Sequence, residues 1–370
     1  MPVFFILLFV SYTLGNIYVF VKGLQAIGHV SPVIRIIFCI VYLTMAFLLV
    51  VMMFLRESRQ IPASLGHILF QIGSGWLVFI LYMVVFLACA DLIKVFNHSF
   101  HYGFHISLLL TFSILMYGFI NYQHLNKQVI SIVVNKSVAS QDQLKIVAVS
   151  DWHLGFGTDK NRLKKDVDRI NAEKPDIILI AGDLIDNSVT PAIMQEMDKE
   201  INRLHAQMGV YMVPGNHEYI SGISSCIEFI GKTNIQILRD SIVTLPCGLQ
   251  IIGRDDHSNR NRLSAKEWSA LADPSKPIIL IDHQPNQLAD AQLIKADLQI
   301  SGHTHNGQFF PFTLVIKRLF ELSYGYKKSD DTHYYVTSGI ALWGPPFRIG
   351  TNSEIVVFDV RFVHDKGRSI

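Results

Sequence analysis

The chain has 370 residues, with 32 Lys and Arg against 30 Asp and Glu, for a net charge of +2. Half of the residues are hydrophobic and the mean hydropathy is +0.32, which excludes an ordinary soluble protein, while the small net charge argues against a dedicated nucleic-acid binder. The length accommodates two domains, and the four cysteines, Cys39, Cys89, Cys226 and Cys247, identify no redox compartment.

The apolar excess lies at one end. Only seven of the 62 charged side chains precede residue 127, namely Lys22, Arg35, Arg56, Glu57, Arg59, Asp91 and Lys94. Four apolar runs there, about 3–21, 36–55, 68–90 and 104–120, approach the roughly 20 residues that span a bilayer. The first run lacks a basic flank and a small-residue cleavage site, so it reads as a retained span. Residues 1–125 are therefore expected to form an all-α transmembrane domain of four helices, 126–143 a linker, and 144–370 a second domain. Arg56, Arg59, Lys127 and Lys136 fall on one side and Lys22, Arg35 and Lys94 on the other, which leans towards a cytoplasmic second domain in a multi-pass protein of the cell membrane. His98, His101 and His105 in "FNHSFHYGFH" read as headgroup-level residues, as does Asp91.

From Leu144 the pattern changes to short apolar runs: "LKIVAVS", "DIILIAG", "GVYMVPG", "LQIIG", "PIILI", "DLQISG", "YYVTSG" and "EIVVFDV". Bounded by Gly or Pro and rich in β-branched residues, they predict buried strands. Helical spacing over 159–172 and 190–207 completes an α/β domain.

Polar residues follow five of these runs: Asp151 and His153; Gly182, Asp183 and Asp186; Gly215, Asn216, His217 and Glu218; Asp282 and His283; and Gly302, His303 and His305. Strand carboxyl ends face the ligand crevice of α/β sheets, so the five sets are expected to converge. Carboxylate, imidazole and one amide oxygen, without thiolate, suit manganese, iron or zinc. The seven donors Asp151, His153, Asp183, Asn216, His283, His303 and His305 exceed the needs of one ion and fit two ions sharing a carboxylate, with His303 and His305 split between them.

The blocks D-x-H, G-D-x-x-D, G-N-H-E, a lone His and G-H-x-H, in that order, resemble the calcineurin-like metallophosphoesterase superfamily. The wording "DHQPNQLADA", "ADLQISGHTHNGQFFP" and "TSGIALWGPPFRIGTNSEI" is similar to its membrane-anchored bacterial branch, which includes phosphodiesterases and UDP-diacylglucosamine hydrolases. The resemblance implies a four-layer α/β/β/α sandwich for the second domain. It also implies a first metal held by Asp151, His153, Asp183 and His305, and a second held by Asp183, Asn216, His283 and His303, with Asp183 bridging. His217 would then protonate the leaving oxygen and Asp186 would orient its ring. A hydroxide between two such ions exists at neutral pH, so no covalent intermediate is expected. Trp152 stands where Leu is common in the family's first block, which alters no ligand.

Plainer uses attach to the neighbours. Asp186 could cap a helix, Glu218 reads as structural, Asp282 as a solvated or supporting carboxylate, and Asp255 and Asp256 as a turn. The cluster Lys160, Arg162, Lys164 and Lys165 reads as a solvated helix face. Residues 309–328, aromatic and basic together, read either as a buried connection or as an amphipathic lid at the membrane. The expected function is a membrane-anchored phosphoesterase with two divalent metals, manganese first, acting on a phosphodiester or pyrophosphate, plausibly lipid-linked. The expected partners are membrane lipids and that substrate, with no nucleic acid. Hydrolysis of soluble diesters, and a non-catalytic membrane module keeping the fold, are the alternatives.

Overall fold

The computed structural model describes residues 2–139 and 142–363, and the chain divides into two compact units. The first comprises Met1–Asn121 with Gly344–Ile349, the second Tyr122–Trp343 with Gly350–Ile370.

The first unit is helical: α1 (Pro2–Ala26), α2 (Pro32–Leu55), α3 (Ala63–Phe96) and α4 (Gly103–Gln123). Among the described residues, α2, α3 and α4 are long and apolar enough to cross a membrane. Four spans were expected, so the number meeting that standard is three; the run at 3–21 lies in α1, some of whose side chains fall outside the described residues. Ile36, Ile40, Phe47 and Met53 of α2 are exposed, which water would penalise and acyl chains would not. Several polar groups are paired within the unit: Lys22 Nζ lies 2.5 Å from Asp91, Tyr18 donates to Asp91 at 2.7 Å, and Trp76 Nε1 donates to Asn16 at 3.0 Å. The short segment Gly344–Ile349 belongs here too, with Arg348 N donating to the Gly118 carbonyl at 3.0 Å and Asn121 Nδ2 to the Arg348 carbonyl at 3.0 Å.

The second unit contains twelve strands: β1 (Leu125–Val134), β2 (Gln143–Val149), β3 (Ile177–Ala181), β4 (Val210–Val213), β5 (Ile235–Ile237), β6 (Ser241–Thr244), β7 (Gln250–Gly253), β8 (Ile278–Ile281), β9 (Leu298–Ser301), β10 (Gly325–Ser329), β11 (Thr332–Val336) and β12 (Ser353–Phe362). They form two six-stranded sheets ordered β1-β12-β2-β3-β4-β5 and β10-β11-β9-β8-β7-β6. The helices are α5 (Lys160–Ala172), α6 (Thr190–Met194), α7 (Met197–Ile201), α8 (Asn216–Ile220), α9 (Ile223–Ile230), α10 (Ala265–Leu271), α11 (Ala289–Ile294) and α12 (Phe312–Leu319).

Side chains alternate across each strand, and the three apolar clusters follow from that. Ile146 and Ala148 of β2 meet Ile251, Ile281 and Ile300 between the sheets, whereas Val147 and Val149 turn outward beneath Leu163, Val167, Met197 and Phe229. On the far side Ile252 and Leu280 pack under Trp268, Ala291 and Ile294. Both faces of both sheets are thus covered, which makes the unit an α/β/β/α sandwich and explains the near-continuous apolar strands.

Two sequence expectations change. The segment 126–143, expected as a linker, opens as strand β1, paired in parallel with β12 over its full length; its run Val129–Val134 is apolar enough to join the sheet. The helix expected over 190–207 is two single-turn pieces, α6 and α7, separated at Glu196, whose φ of 51° lies in the left-handed region.

Candidate metal centre

Five strand ends converge, as the sequence predicts, and they do so under backbone strain. Asp151, His153, Asp183, His303 and His305 all have positive φ, from 48° to 70°, an uncommon conformation for residues with a Cβ and one that collects at functional sites. The turns are held by backbone bonds between the loops: Asp151 N donates to Gly182 O at 3.0 Å and His153 N to Asp183 O at 3.0 Å. The carboxylates reinforce them, with His303 N donating to Asp151 at 3.1 Å and His217 N to Asp183 at 2.9 Å. A Cβ on Gly302 would strike Ser150 Oγ and Asp151 Oδ2, so glycine is required for the last loop to approach the first.

The donors group in threes: Asp151 with His153 and His305; His153 with Asp183 and His217; and Asp183 with His283 and His303, each set having one atom per residue within 4.8 Å of the others. Nε2 of His153 lies 3.1 Å from Nε2 of His305, and Asp151 Oδ1 is 3.8 and 3.6 Å from those two nitrogens. Asp183 Oδ2 is 3.8 Å from His153 Nε2 and 3.2 Å from His283 Nε2, which also lies 3.2 Å from Asn216 Oδ1. All seven expected ligands are therefore brought together, with Asp183 between the two sides. Asp151, His153, Asp183 and His283 are essentially inaccessible to water.

These residues fit divalent cations on their own chemistry. Buried carboxylates and imidazole lone pairs point at common centres, and such a set is costly unless something positive lies among them. In the protein alone that role falls to protons. Burial, reinforced by Asp183, pushes Asp151 upward; for Asp183 burial is outweighed by His283 and His217, which hold it well below the usual carboxylate range. His283 is buried too, yet Asp183 raises it well above an ordinary imidazole, while burial and His283 lower His303 to about 4.

His217 and Asp186 stand at the edge of the first group. His217 Nδ1 is 3.3 Å from Asp186 Oδ1, which is also 3.4 Å from His153 Nδ1. Asp186 thus touches a predicted ligand as well as the predicted acid. It caps no helix. Burial opposes the charge on both, but the contacts with His153 and His217 hold Asp186 at about 2, and Asp183 and Asp186 raise His217 to about 9. His217 also falls within ligand distance of His153 and Asp183, so geometry alone leaves it able to bind a metal or to carry a proton.

The supporting residues were harder to read. Glu218 is buried and accepts from Gly215 N at 2.7 Å, Asp183 N at 3.1 Å and Ile185 N at 2.9 Å, tying two ligand loops together. Burial first, then Asp183, raises it to about 7. Trp152 donates to buried Asp166 at 3.3 Å, and Arg162 pairs with the same carboxylate at 3.0 Å while donating to the carbonyls of Tyr122 and Ile340, each at 3.2 Å. Arg162 is therefore a half-buried brace and not part of a solvated face. Asp282 is likewise not solvated: it pairs with Arg254 at 3.1 Å and Arg262 at 2.8 Å. Asp256 caps its turn through Ser258 and accepts from Gln284 at 2.8 Å. Missed altogether were Ser150, which donates to Asp151 Oδ2, and the ring of Trp343, 6.4 Å from His217; Phe320, 6.1 Å from His303, falls in the 309–328 segment, whose lid reading singled out no residue. Trp343 lies distant in sequence from His217, and no spacing signals it.

Residues 144–307 match the family model for calcineurin-like phosphoesterases. An uncharacterized metallophosphoesterase of Campylobacter jejuni is 29% identical over 97% of this chain and 98% of its own length. One of Aquifex aeolicus is 30% identical, covering 59% of this chain and 85% of that protein. The zebrafish Danio rerio has a "transmembrane protein with metallophosphoesterase domain", 29% identical over 68% of this chain, which spans 61% of that relative's length. With its donor set, its two-sheet sandwich and these relatives, the chain belongs to the calcineurin-like metallophosphoesterases, metal-dependent hydrolases of phosphoester bonds, here joined to apolar helices fit to cross a membrane.

Proposed function

We propose that the protein hydrolyses a phosphodiester or pyrophosphate bond of an amphiphilic, lipid-linked substrate at a centre of two divalent cations, manganese first among them. The observation that carries the reading is Asp183, whose carboxylate is shared by two of the donor groups, one containing His153 and the other His283 and His303. Asp151, His153, Asp183 and His305 would hold one ion, and Asp183, Asn216, His283 and His303 the other. Bound there, divalent ions supply Lewis-acid polarisation of the phosphoryl group and a water of lowered pKa. The carboxylates and the imidazole and amide donors orient that chemistry; His217 holds the proton for the leaving oxygen at a ring nitrogen, and Asp186 keeps the ring's tautomer by facing Nδ1. Burial of the centre excludes bulk water, which strengthens each of these interactions.

The lipid-linked class is supported by the apolar helices of the first unit and by Trp343 and Phe320, aromatic surfaces beside His217 and His303. We put the second unit on the cytoplasmic side: Arg56 and Arg59 share a side with Lys127 and Lys136 however α1 is disposed, since α3 and α4 both lie between the two pairs, and these four cations stand against Lys22, Arg35 and Lys94 on the other.

The test is turnover of bis-p-nitrophenyl phosphate by the detergent-purified chain, stripped of metal, reloaded with manganese and compared with Asp183→Asn, followed by vesicle-borne phosphoesters. Manganese-dependent turnover lost in the variant supports the centre. Turnover of soluble diesters with no vesicle-borne substrate accepted would point instead to a phosphodiesterase of soluble molecules. Bound metal without any turnover would favour a binding module.

A further inference from the structure

Helix α12 begins five residues after the Thr304–Gly307 turn that carries His305, and its C-cap is Phe320, the residue beside His303. Its eight residues, "FTLVIKRL", carry a pattern that the sandwich does not use. Phe312, Val315 and Leu319 recur at three- and four-residue spacing and so share one side of the helix, and they are 40%, 49% and 69% exposed. Thr313, the one buried residue of α12, marks the side turned to the protein. Lys317 and Arg318 occupy the last turn, both exposed. Large apolar side chains in an exposed row, flanked by Arg318 and with Lys317 on the far side of the same turn, suit neither bulk water nor a protein core.

Two observations say what covers this stripe. The same chain carries three helices fit to cross a membrane, so a bilayer is always its neighbour. The last of them, α4, ends at Gln123, and β1 begins at Leu125; with a single intervening residue, which reaches only about 3–4 Å, the chain passes from a candidate span straight into the first strand. Apolar residues on one side with Lys and Arg adjoining is the composition of an interfacial helix on anionic lipid, the stripe among acyl chains and the cations at phosphates.

We propose that α12 lies in the headgroup region of an anionic bilayer, inserting Phe312, Val315 and Leu319 and placing Lys317 and Arg318 against lipid phosphates, so that lipid borders the metal centre through Phe320. Its use as a substrate entrance rests on the lipid-linked reading above; the membrane contact does not.

The test uses the full chain in vesicles of phosphatidylglycerol and phosphatidylcholine, with Cys39 and Cys89 replaced by Ser and an environment-sensitive fluorophore on Leu319→Cys. Nitroxide-labelled lipid is expected to quench this probe about tenfold more than the same fluorophore on Lys266→Cys, an exposed position on α10. Equal, weak quenching at both positions overturns the proposal. A companion variant, Val315→Glu with Leu319→Glu, is expected to lose about tenfold in turnover of a vesicle-borne long-chain alkyl p-nitrophenyl phosphate while bis-p-nitrophenyl phosphate is hydrolysed as before. Quenching at Leu319 without turnover of any vesicle-borne ester keeps the helix in the bilayer and removes the lipid-linked substrate.

Discussion

Nε2 of His153 and Nε2 of His305 face each other at 3.1 Å although 152 residues separate them. Two imidazole lone pairs repel at that distance unless a proton or a cation lies between or beside them. Since Asp151 and Asp183 are buried within 4 Å, the pair is arranged for a doubly charged ion. Replacing His305 with Ala is therefore expected to lower bound divalent metal by about one ion per chain and turnover by more than about 10²-fold. Elemental analysis of the purified variant checks the first figure. Unchanged stoichiometry would exclude His305 as a ligand.

Glu218 belongs to none of the donor groups, yet it fixes the backbone of two loops that carry donors. Glu218→Gln keeps the size of the side chain but exchanges one acceptor oxygen for a donor that faces backbone N–H groups. A drop of about 10–100-fold in apparent metal affinity is expected, of the size seen when supporting groups around metal sites are altered. Titration of the stripped protein with manganese measures it, and saturating metal should restore much of the turnover.

Arg162 joins Asp166 to two backbone carbonyls. Arg162→Ala would leave Asp166 buried with only the Trp152 N–H, a situation that costs about 3–5 kcal/mol. Thermal unfolding in detergent should show the loss, and Asp166→Asn on the Arg162→Ala background should recover part of it by removing the stranded charge.

Acid sensitivity is expected away from the centre as well. His333 is buried in β11 with Tyr326 OH 2.7 Å from its Nδ1, and burial, then Lys328, lowers its pKa below the ordinary 6.5. A histidine depressed in this way favours the fold fully above pH 6.5, and its contribution is lost as the pH falls through 6.5 towards the folded value. On going from pH 7 to pH 5 the wild type should therefore lose stability that His333→Gln keeps, measured by thermal unfolding of both proteins at each pH. Parallel pH dependence in the two proteins would show that His333 does not titrate in the fold.

The contrast between these residues shows what the sequence made legible. The seven donors sit within a few residues of strand ends, and apolar runs closed by polar clusters predict where such residues meet. The buried strands were visible for the same reason: β2, β3 and β8 are apolar on both faces. Strands β5, β6 and β10 were missed because they are short or edge strands of mixed burial, which no alternation marks. Arg162, in a run of basic residues on α5, read as a solvated side chain; only the fold brings Tyr122 and Ile340 to it. Glu218 was read correctly as structural, but nothing in "GNHE" says which backbone groups it would gather.

Strand β12 lies between β1 and β2 in the first sheet, parallel to one and antiparallel to the other. During synthesis β1 and β2 leave the ribosome well before their shared partner, Ser353–Phe362. Until then both strands present open edges, the kind that pair wrongly with other chains. A nascent or truncated chain ending before residue 353 would thus already hold all seven metal donors and, among the described residues, every candidate span, yet lack the strand that joins β1 to β2, so an intact set of donors does not mean a closed sheet.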